Sequence, residues 1–202
     1  MLIDTKSILV SDLVAAALED LGIKHVFGII GAGNVRLFES IAKRGFTEII
    51  CVHHEQAACM AIQTYYRVSG QLSAALLTTG GGSTNGVTGV VSSWADSIPC
   101  LMIAGNESSV HTHLSNPLRM WGVQGYDSCR MVCAVTKKAE RITVPEDVVA
   151  GLKDAAEVAL AGRPGPVWIE IPMDVQGKLV SESSATMPNV SPNESNRVNA
   201  NL

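Results

Sequence analysis

Short apolar segments alternate with longer segments of helical periodicity along most of the chain. A short apolar run between turn residues favours a strand, whereas an apolar face that recurs with each helical turn favours a helix. Strands that alternate with helices form a parallel sheet with helices on both faces. We therefore predict an α/β fold, with three α/β/α layers around a mainly parallel central sheet. The predicted strands lie at residues 25–30, 48–52, 73–78, 98–104 and within 162–172, and the predicted helices lie at residues 9–21, 35–44, 55–69, 84–95 and 145–161.

The composition fits this fold and sets the extent of the domain. Only 4% of the residues are aromatic while 47% are hydrophobic, so small and branched residues must form the core. Such residues suit strands that are buried on both faces. From Leu179 onward, serine, proline and asparagine replace the core-forming residues, as they do in linkers. We predict one domain at residues 1–178 and a polar linker or tail at residues 179–202.

Charge and cysteine content argue against several classes of function. The net charge of −4 is small and scattered, without a basic stripe, so we expect no nucleic acid partner. No stretch approaches the roughly 20 apolar residues that a membrane span needs, and the first residues lack a signal-peptide pattern. The five cysteines indicate reduced core residues in a cytoplasmic protein rather than a disulfide framework. Cys129 and Cys133, near His111 and His113, have poor spacing for zinc, and we predict no metal site in this chain.

Polar residues and glycines follow the carboxyl ends of the predicted strands. Gly31, Glu55, Gly80 and Gly105 each come shortly after one of these strands. Because ligands bind to parallel sheets beyond the carboxyl ends of the strands, we expect these residues to gather along one edge. An acid beside a glycine-rich turn suits a pocket for a flat heterocycle.

Each of these features also has a simpler explanation. The helix dipole favours an acid in the first turn by ~0.3–1 kcal/mol, which would account for Glu55 alone. The glycines of residues 80–82 could form only a tight turn, and Gln124 could be a solvated loop residue. The glycines of residues 28–33 do not have the spacing of a dinucleotide site, and no phosphate-binding P-loop motif occurs. No single motif is therefore specific.

The order of these motifs is more specific than any one of them. The chain resembles the pyrimidine-binding domain of thiamine diphosphate enzymes of the acetolactate synthase, pyruvate decarboxylase and sulfopyruvate decarboxylase type. The resemblance extends over roughly residues 5–176 and keeps the family order. The matching segments are Val26-Phe-Gly-Ile-Ile-Gly, His54-Glu-Gln-Ala-Ala, Thr78-Thr-Gly-Gly-Gly-Ser-Thr-Asn, Ala95-Asp-Ser-Ile-Pro-Cys-Leu-Met-Ile-Ala-Gly, Val123-Gln, Val135-Thr-Lys and Ala161-Gly-Arg-Pro-Gly-Pro-Val.

The resemblance implies roles for individual residues. Glu55 matches the catalytic glutamate that hydrogen-bonds the aminopyrimidine ring of thiamine diphosphate and so promotes loss of the thiazolium proton. Gln124 matches a glutamine whose side chain reaches the reactive centre, which implies a catalytic role as well. The cofactor-binding candidates, besides Glu55, are Ile30, Gly31, Thr78, Gly82 and Asn85.

Three positions depart from the family pattern. Ile30 and Gly81 stand where the family has prolines, which removes conformational restraint but no chemical group. Gly125 stands where the family usually has a glutamate after the loop glutamine. The resemblance therefore leaves the substrate open.

The resemblance also implies that the site needs a second domain. Family enzymes hold Mg²⁺ and the diphosphate through a Gly-Asp-Gly motif and following asparagines, and nothing in the 202 residues matches these. Because family active sites form between two units, we expect half of a two-chain lyase, decarboxylase or carboligase for a 2-oxo acid or related carbonyl donor. The partner subunit of this hetero-oligomer would bind Mg²⁺. The alternatives are a fragment of a single-chain acetolactate synthase-like enzyme and a non-catalytic scaffold subunit.

Overall fold

A computed structural model describes residues 7–112 and 117–181. None of the helices in these ranges is long and apolar enough to cross a membrane. Short 3₁₀ turns lie at Cys133–Val135 and Pro145–Asp147. The strands are β1 (Ser7–Leu9), β2 (His25–Gly28), β3 (Glu48–Cys51), β4 (Ala74–Leu77), β5 (Cys100–Asn106), β6 (Lys138–Arg141), β7 (Pro166–Pro172) and β8 (Leu179–Ser181). The helices are α1 (Val10–Asp20), α2 (Val35–Arg44), α3 (Glu55–Ser69), α4 (Gly81–Asp96), α5 (Ser128–Val132), α6 (Val148–Leu160) and α7 (Met173–Gln176).

Six strands form the central sheet, in the order β3-β2-β4-β5-β7-β6. Every neighbouring pair in it is parallel, because a helix connects most consecutive strands across one face of the sheet. β1 and β8 form a separate antiparallel pair. The predicted three-layer α/β/α fold with a mainly parallel sheet is confirmed.

Successive side chains of a strand point to opposite sides of the sheet. Helices cover both sides here, so the central strands are buried on both faces. On one face, Leu76 and Ile103 pack in a cluster with residues of α1, α2 and α6. On the other face, Leu77 and Met102 pack with residues of α3, α4 and α5. β4, β5 and β7 are buried along their whole length, which explains their mainly apolar sequence.

The helix that begins with Glu55 has defined ends. The Nδ1 atom of His54 accepts a hydrogen bond from the Gln56 amide at 3.2 Å, which satisfies one free amide of the first turn. Gly70, with a φ angle of 68°, ends the helix in the left-handed conformation. The predicted bounds of α3 are therefore correct, whereas α4 begins at Gly81 instead of residue 84.

The sequence prediction missed three strands, β1, β6 and β8. β6 lacks an apolar pattern because it is an edge strand, and its Lys138 and Arg141 form ion pairs with Asp154 and Glu170. β8 lies at the start of the predicted linker, where Val180 is buried against the core. The fold therefore extends to residue 181, and the linker at residues 182–202 lies outside the described residues and stays a prediction.

The five cysteines are all free, but they are not all core residues. Cys59 and Cys100 are buried as predicted. Cys51 and Cys133 are exposed, contrary to the prediction, because Cys51 ends the edge strand β3 and Cys133 follows the short helix α5.

Candidate active site

The loops that follow β2, β4 and β5 meet at the carboxyl edge of the sheet. The Gly33 amide donates a hydrogen bond to Thr78 Oγ1 at 3.1 Å, which joins the first two loops. A Cβ atom at Gly105 would lie 1.8 Å from the Gly33 carbonyl oxygen, so this contact requires glycine. Gln176 donates to the same carbonyl oxygen at 2.7 Å. These contacts bring the predicted candidate residues to one edge of the sheet.

Glu55 is a buried carboxylate at this edge. It is only 7% exposed, although it is the first residue of a helix. Asn85 of α4 donates a hydrogen bond from Nδ2 to Glu55 Oε2 at 2.9 Å. In the described part of the chain, no hydrogen bond reaches Oε1. A residue selected only by the helix dipole would keep its charge in water, so the burial of Glu55 indicates a further role.

Two glycines bring the backbone close to Thr78, and one of them also lies beside Glu55. A Cβ atom at Gly82 would lie 2.5 Å from Thr78 Cγ2 and 2.9 Å from Glu55 Oε1. A Cβ atom at Gly31 would lie 2.4 Å from Thr78 Oγ1. The backbone at both positions therefore approaches Thr78 more closely than any side chain would allow, which forms a cradle beside the carboxylate.

The turn that carries Ile30 and Gly31 is held by a residue that sequence reasoning did not identify as part of the site. Asn34 is fully buried, and its Oδ1 accepts a hydrogen bond from the Gly31 amide at 2.8 Å. Its Nδ2 donates to the Ile29 carbonyl oxygen at 3.1 Å. The side chain of Ile30 is 57% exposed at the rim of the cradle. Asn34 thus replaces part of the restraint that a proline at position 30 would provide.

Gln124 lies in the long loop between β5 and α5, next to the glycine turn. Its Nε2 is 3.5 Å from the Thr79 carbonyl oxygen, and a Cβ atom at Gly80 would lie 2.7 Å from its backbone oxygen. The Tyr126 hydroxyl donates to the Gly80 carbonyl oxygen at 3.2 Å. The loop therefore packs on the turn before α4, and within the described residues Gln124 does not hydrogen-bond Glu55.

Glu107 organises the tip of this loop, and sequence reasoning missed it. Its Oε1 accepts hydrogen bonds from the amides of Val123 and Gln124, each at 3.3 Å. A Cβ atom at Gly125 would lie 2.5 Å from Glu107 Cγ and 2.8 Å from the Trp121 carbonyl oxygen. The position where the family usually has glutamate is therefore closed to a side chain unless the loop moves.

Burial favours the neutral forms of two groups beside the site, the thiol of Cys59 and the hydroxyl of Tyr126. Burial raises the pKa of the Cys59 thiol, and the nearby Cys100 and Glu55 raise it further. Burial also raises the pKa of Tyr126 to about 12, so its hydroxyl remains a donor to Gly80 at neutral pH. Neither group is therefore a nucleophile at neutral pH.

The residues of the cradle fit one end of thiamine diphosphate. An accessible carboxylate oxygen without a partner, on a side chain that is otherwise buried, suits a nitrogen of the aminopyrimidine ring, and the close backbone at Gly31 and Gly82 suits a flat ring. Within residues 7–112 and 117–181, no cluster of three or more His, Cys, Asp or Glu residues could hold a metal ion. The fit thus concerns the ring and leaves the diphosphate to other residues.

Comparisons with known proteins identify the family that the chain matches. Residues 8–131 match the family described as thiamine pyrophosphate enzyme, N-terminal TPP binding domain. The chain is 33% identical over 167 residues to the acetolactate synthase large subunit of Haemophilus influenzae, an alignment that covers 81% of this chain and 28% of that protein. It is 30% identical over 168 residues to the acetolactate synthase isozyme 3 large subunit of Escherichia coli, covering 82% of this chain and 28% of that protein.

A plant protein shows the same partial coverage. The chain is 30% identical over 173 residues to the chloroplastic acetolactate synthase 2 of Nicotiana tabacum, covering 84% of this chain and 25% of that protein. The sequence therefore spans less than a third of the length of these relatives.

Proposed function

The chain belongs to the thiamine pyrophosphate enzymes, as an N-terminal cofactor-binding domain, and we propose that it supplies the activating glutamate to an active site that a second subunit completes. The observation that carries this proposal is the buried Glu55 carboxylate with one oxygen bonded to Asn85 and the other open to a ligand. A scaffold subunit would have no use for a buried, half-satisfied acid, because its desolvation costs stability.

The aminopyrimidine ring would be held by the side chains and backbone that line the cradle, namely Glu55, Thr78, Gly82, Asn85 and the backbone of Ile30 and Gly31. Glu55 Oε1 would hold a proton at a ring nitrogen, and Asn85 keeps the carboxylate in a fixed orientation through Oε2. When bound, thiamine diphosphate supplies a thiazolium carbon that attacks a carbonyl group. Gln124 would contact the substrate from the loop, which keeps its backbone against Gly80.

The proposed partner carries the diphosphate-binding domain and the Mg²⁺ ligands. Large apolar side chains of α3 and α4 are exposed, namely Met60, Val68, Val91 and Trp94. These are the helices that carry Glu55 and Asn85, and exposed apolar residues mark protein interfaces. A partner that covers this face would shield the open oxygen of Glu55 from water. The diphosphate-binding domain could also belong to a longer form of this same polypeptide.

The proposed substrate is a 2-oxo acid or a related carbonyl donor. The relatives named acetolactate synthase support carboligation over other outcomes. The crowding around Gly125 argues that substrate contacts differ from those of a family member with glutamate at this position. Decarboxylation without carboligation is the alternative reaction for the same site.

Hydrogen–deuterium exchange at the thiazolium carbon, followed by NMR on the assembled complex, tests the role of Glu55. We expect Glu55→Gln to slow this exchange by about 100-fold or more, as loss of an acid–base group does. Glu48→Gln is the matched control, because Glu48 is an exposed acid on the strand that precedes Glu55. Equal exchange rates in the two variants would refute the assignment.

Purification of the complex from its native source, followed by mass spectrometry, tests the partner. A second polypeptide with a Gly-Asp-Gly segment would support the two-chain enzyme. A single longer polypeptide that contains this sequence would instead support one-chain organisation, with the same role for Glu55.

A further inference from the structure

Arg141 lies at the end of the edge strand β6, beneath the loop that carries Gln124. Its side chain is 10% exposed, and its Nε donates to Glu170, whose side chain is fully buried in β7. Ser128 and Trp168 complete this polar group, since Ser128 donates to Glu170 and Trp168 Nε1 donates to Ser128 Oγ at 3.2 Å. The guanidinium is therefore anchored in the core of the domain.

The remaining donors and one face of the guanidinium contact the loop at three separate points. Its NH1 group donates to the Thr112 carbonyl oxygen at 3.3 Å, near the start of the loop. Its Cζ atom lies over the ring of Trp121, 4.5 Å from the ring centroid, close to the tip. Its NH2 group donates to Asp127 Oδ1 at 3.0 Å, where the loop ends.

These contacts need the shape of arginine. A guanidinium offers several donors in one plane and stacks on an aromatic ring through its face, whereas a lysine ammonium is a single point charge. The backbone of Trp121 also pairs with that of Gly125, which directly follows Gln124. The Trp121 amide donates to the Gly125 carbonyl oxygen at 2.8 Å, and the Gly125 amide donates to the Trp121 carbonyl oxygen at 2.7 Å. A group that fixes Trp121 therefore fixes the turn from which Gln124 extends.

We propose that Arg141 is a positioning residue, which joins the start, tip and end of the loop to the buried Glu170 and thereby holds Gln124 against the glycine turn. The part of this inference that concerns chemistry rests on the proposed function, because it requires Gln124 to act in the reaction. The part that concerns the loop does not depend on any activity.

Amide hydrogen exchange on the full chain tests the effect on the loop. Four loop amides are hydrogen-bonded and serve as reporters, those of Trp121, Val123, Gln124 and Gly125. The double variant Arg141→Met with Glu170→Gln removes the contacts without leaving a buried charge unpaired. We expect these amides to exchange about tenfold faster or more, while the amides of β4 and β5 keep their protection.

Two further variants sharpen this comparison. Arg141→Lys retains the charge but loses the fork, so we expect faster exchange in the same four amides. Arg44→Met removes an exposed ion pair between Arg44 of α2 and Glu19 of α1 and should leave the loop unchanged. Unchanged loop exchange in the double variant would overturn the proposal. An equal acceleration in β4 and β5 would also overturn it, since Arg141 would then only stabilise the whole fold.

Kinetics of the assembled complex test the effect on chemistry. We expect Gln124→Ala and Arg141→Lys each to lower kcat without weakening the binding of thiamine diphosphate. Because Arg141 acts through Gln124, the two losses should not add. The combined variant should therefore be as active as the less active of the two single variants. Losses that multiply would overturn the positioning role. If Gln124→Ala leaves kcat unchanged, the proposed role of Gln124 fails, and the exchange data alone decide whether Arg141 holds the loop.

Discussion

At the scale of single residues, the site depends on how the Glu55 carboxylate is bonded. Asn85 of α4 donates a hydrogen bond to Oε2 of Glu55, which is the first residue of α3. Asn85→Ala would leave a buried acceptor without its partner, and we expect the free energy of unfolding to fall by about 1–3 kcal/mol. Urea denaturation measures this loss, with Thr88→Ala on the exposed side of the same helix as the control. Losses of equal size in the two variants would show that Asn85 does not stabilise the carboxylate.

Adjacent glycines in the same turn should respond in opposite ways. A Cβ atom at Gly81 meets nothing within 4 Å, and the residue is the first of α4, where proline is favoured. We expect Gly81→Pro to raise the free energy of unfolding by about 0.4–1 kcal/mol. Gly82→Ala should lower it, because the new Cβ would lie 2.5 Å from Thr78 Cγ2. Thermal unfolding compares the two, and a less stable Gly81→Pro variant would mean that the turn requires glycine there.

At the scale of elements, the short pair of β1 and β8 closes the domain. Val180 is 5% exposed and packs in the same cluster as α1 and α6. A chain that ends at residue 178 lacks β8, so we expect it to be less stable than a chain that ends at residue 181 by about 1–3 kcal/mol. The melting temperatures of the two truncated chains measure the difference. Equal melting temperatures would show that β8 contributes nothing and that the domain ends at residue 178.

The elements also show what could be predicted from the sequence. The strands β4, β5 and β7 and the helix α3 were predictable because their apolar patterns and glycine stops act locally. β6 was not, since its charged residues become compatible with a strand only through partners such as Asp154 and Glu170, which are distant in sequence. The start of α4 was missed because glycines at 81 and 82 disfavour a helix locally. Gly82 is nevertheless required there by its contacts with Thr78 and Glu55.

The arrangement of the candidate site was predictable to a similar degree. Glu55 and its neighbours follow strand ends, and parallel sheets bring such positions together. Asn34, Glu107 and Arg141 were not identified, because each acts through contacts that no short motif encodes. The one local signal was Glu170, an acid within an otherwise apolar strand, which indicates a buried ion pair.

At the scale of the whole molecule, the exposed face of α3 and α4 should bind the partner. We expect Val91→Glu to abolish or strongly weaken assembly, because a charge at the centre of an apolar interface cannot be solvated. Val144→Glu is the control, since Val144 is similarly exposed and lies away from α3 and α4, in the turn after the edge strand β6. Sedimentation or size-exclusion chromatography with the partner measures assembly. Normal assembly of Val91→Glu would place the interface elsewhere.

The most direct measurement is a crystal structure of the assembled complex with thiamine diphosphate bound. The distance from Glu55 Oε1 to the nearest pyrimidine nitrogen is the decisive quantity. We predict a hydrogen bond of about 2.5–3.0 Å at the boundary between the two domains, with Asn85 still bonded to Oε2. A Glu55 side chain that points into solvent, away from the cofactor and from the partner, would contradict the proposed function.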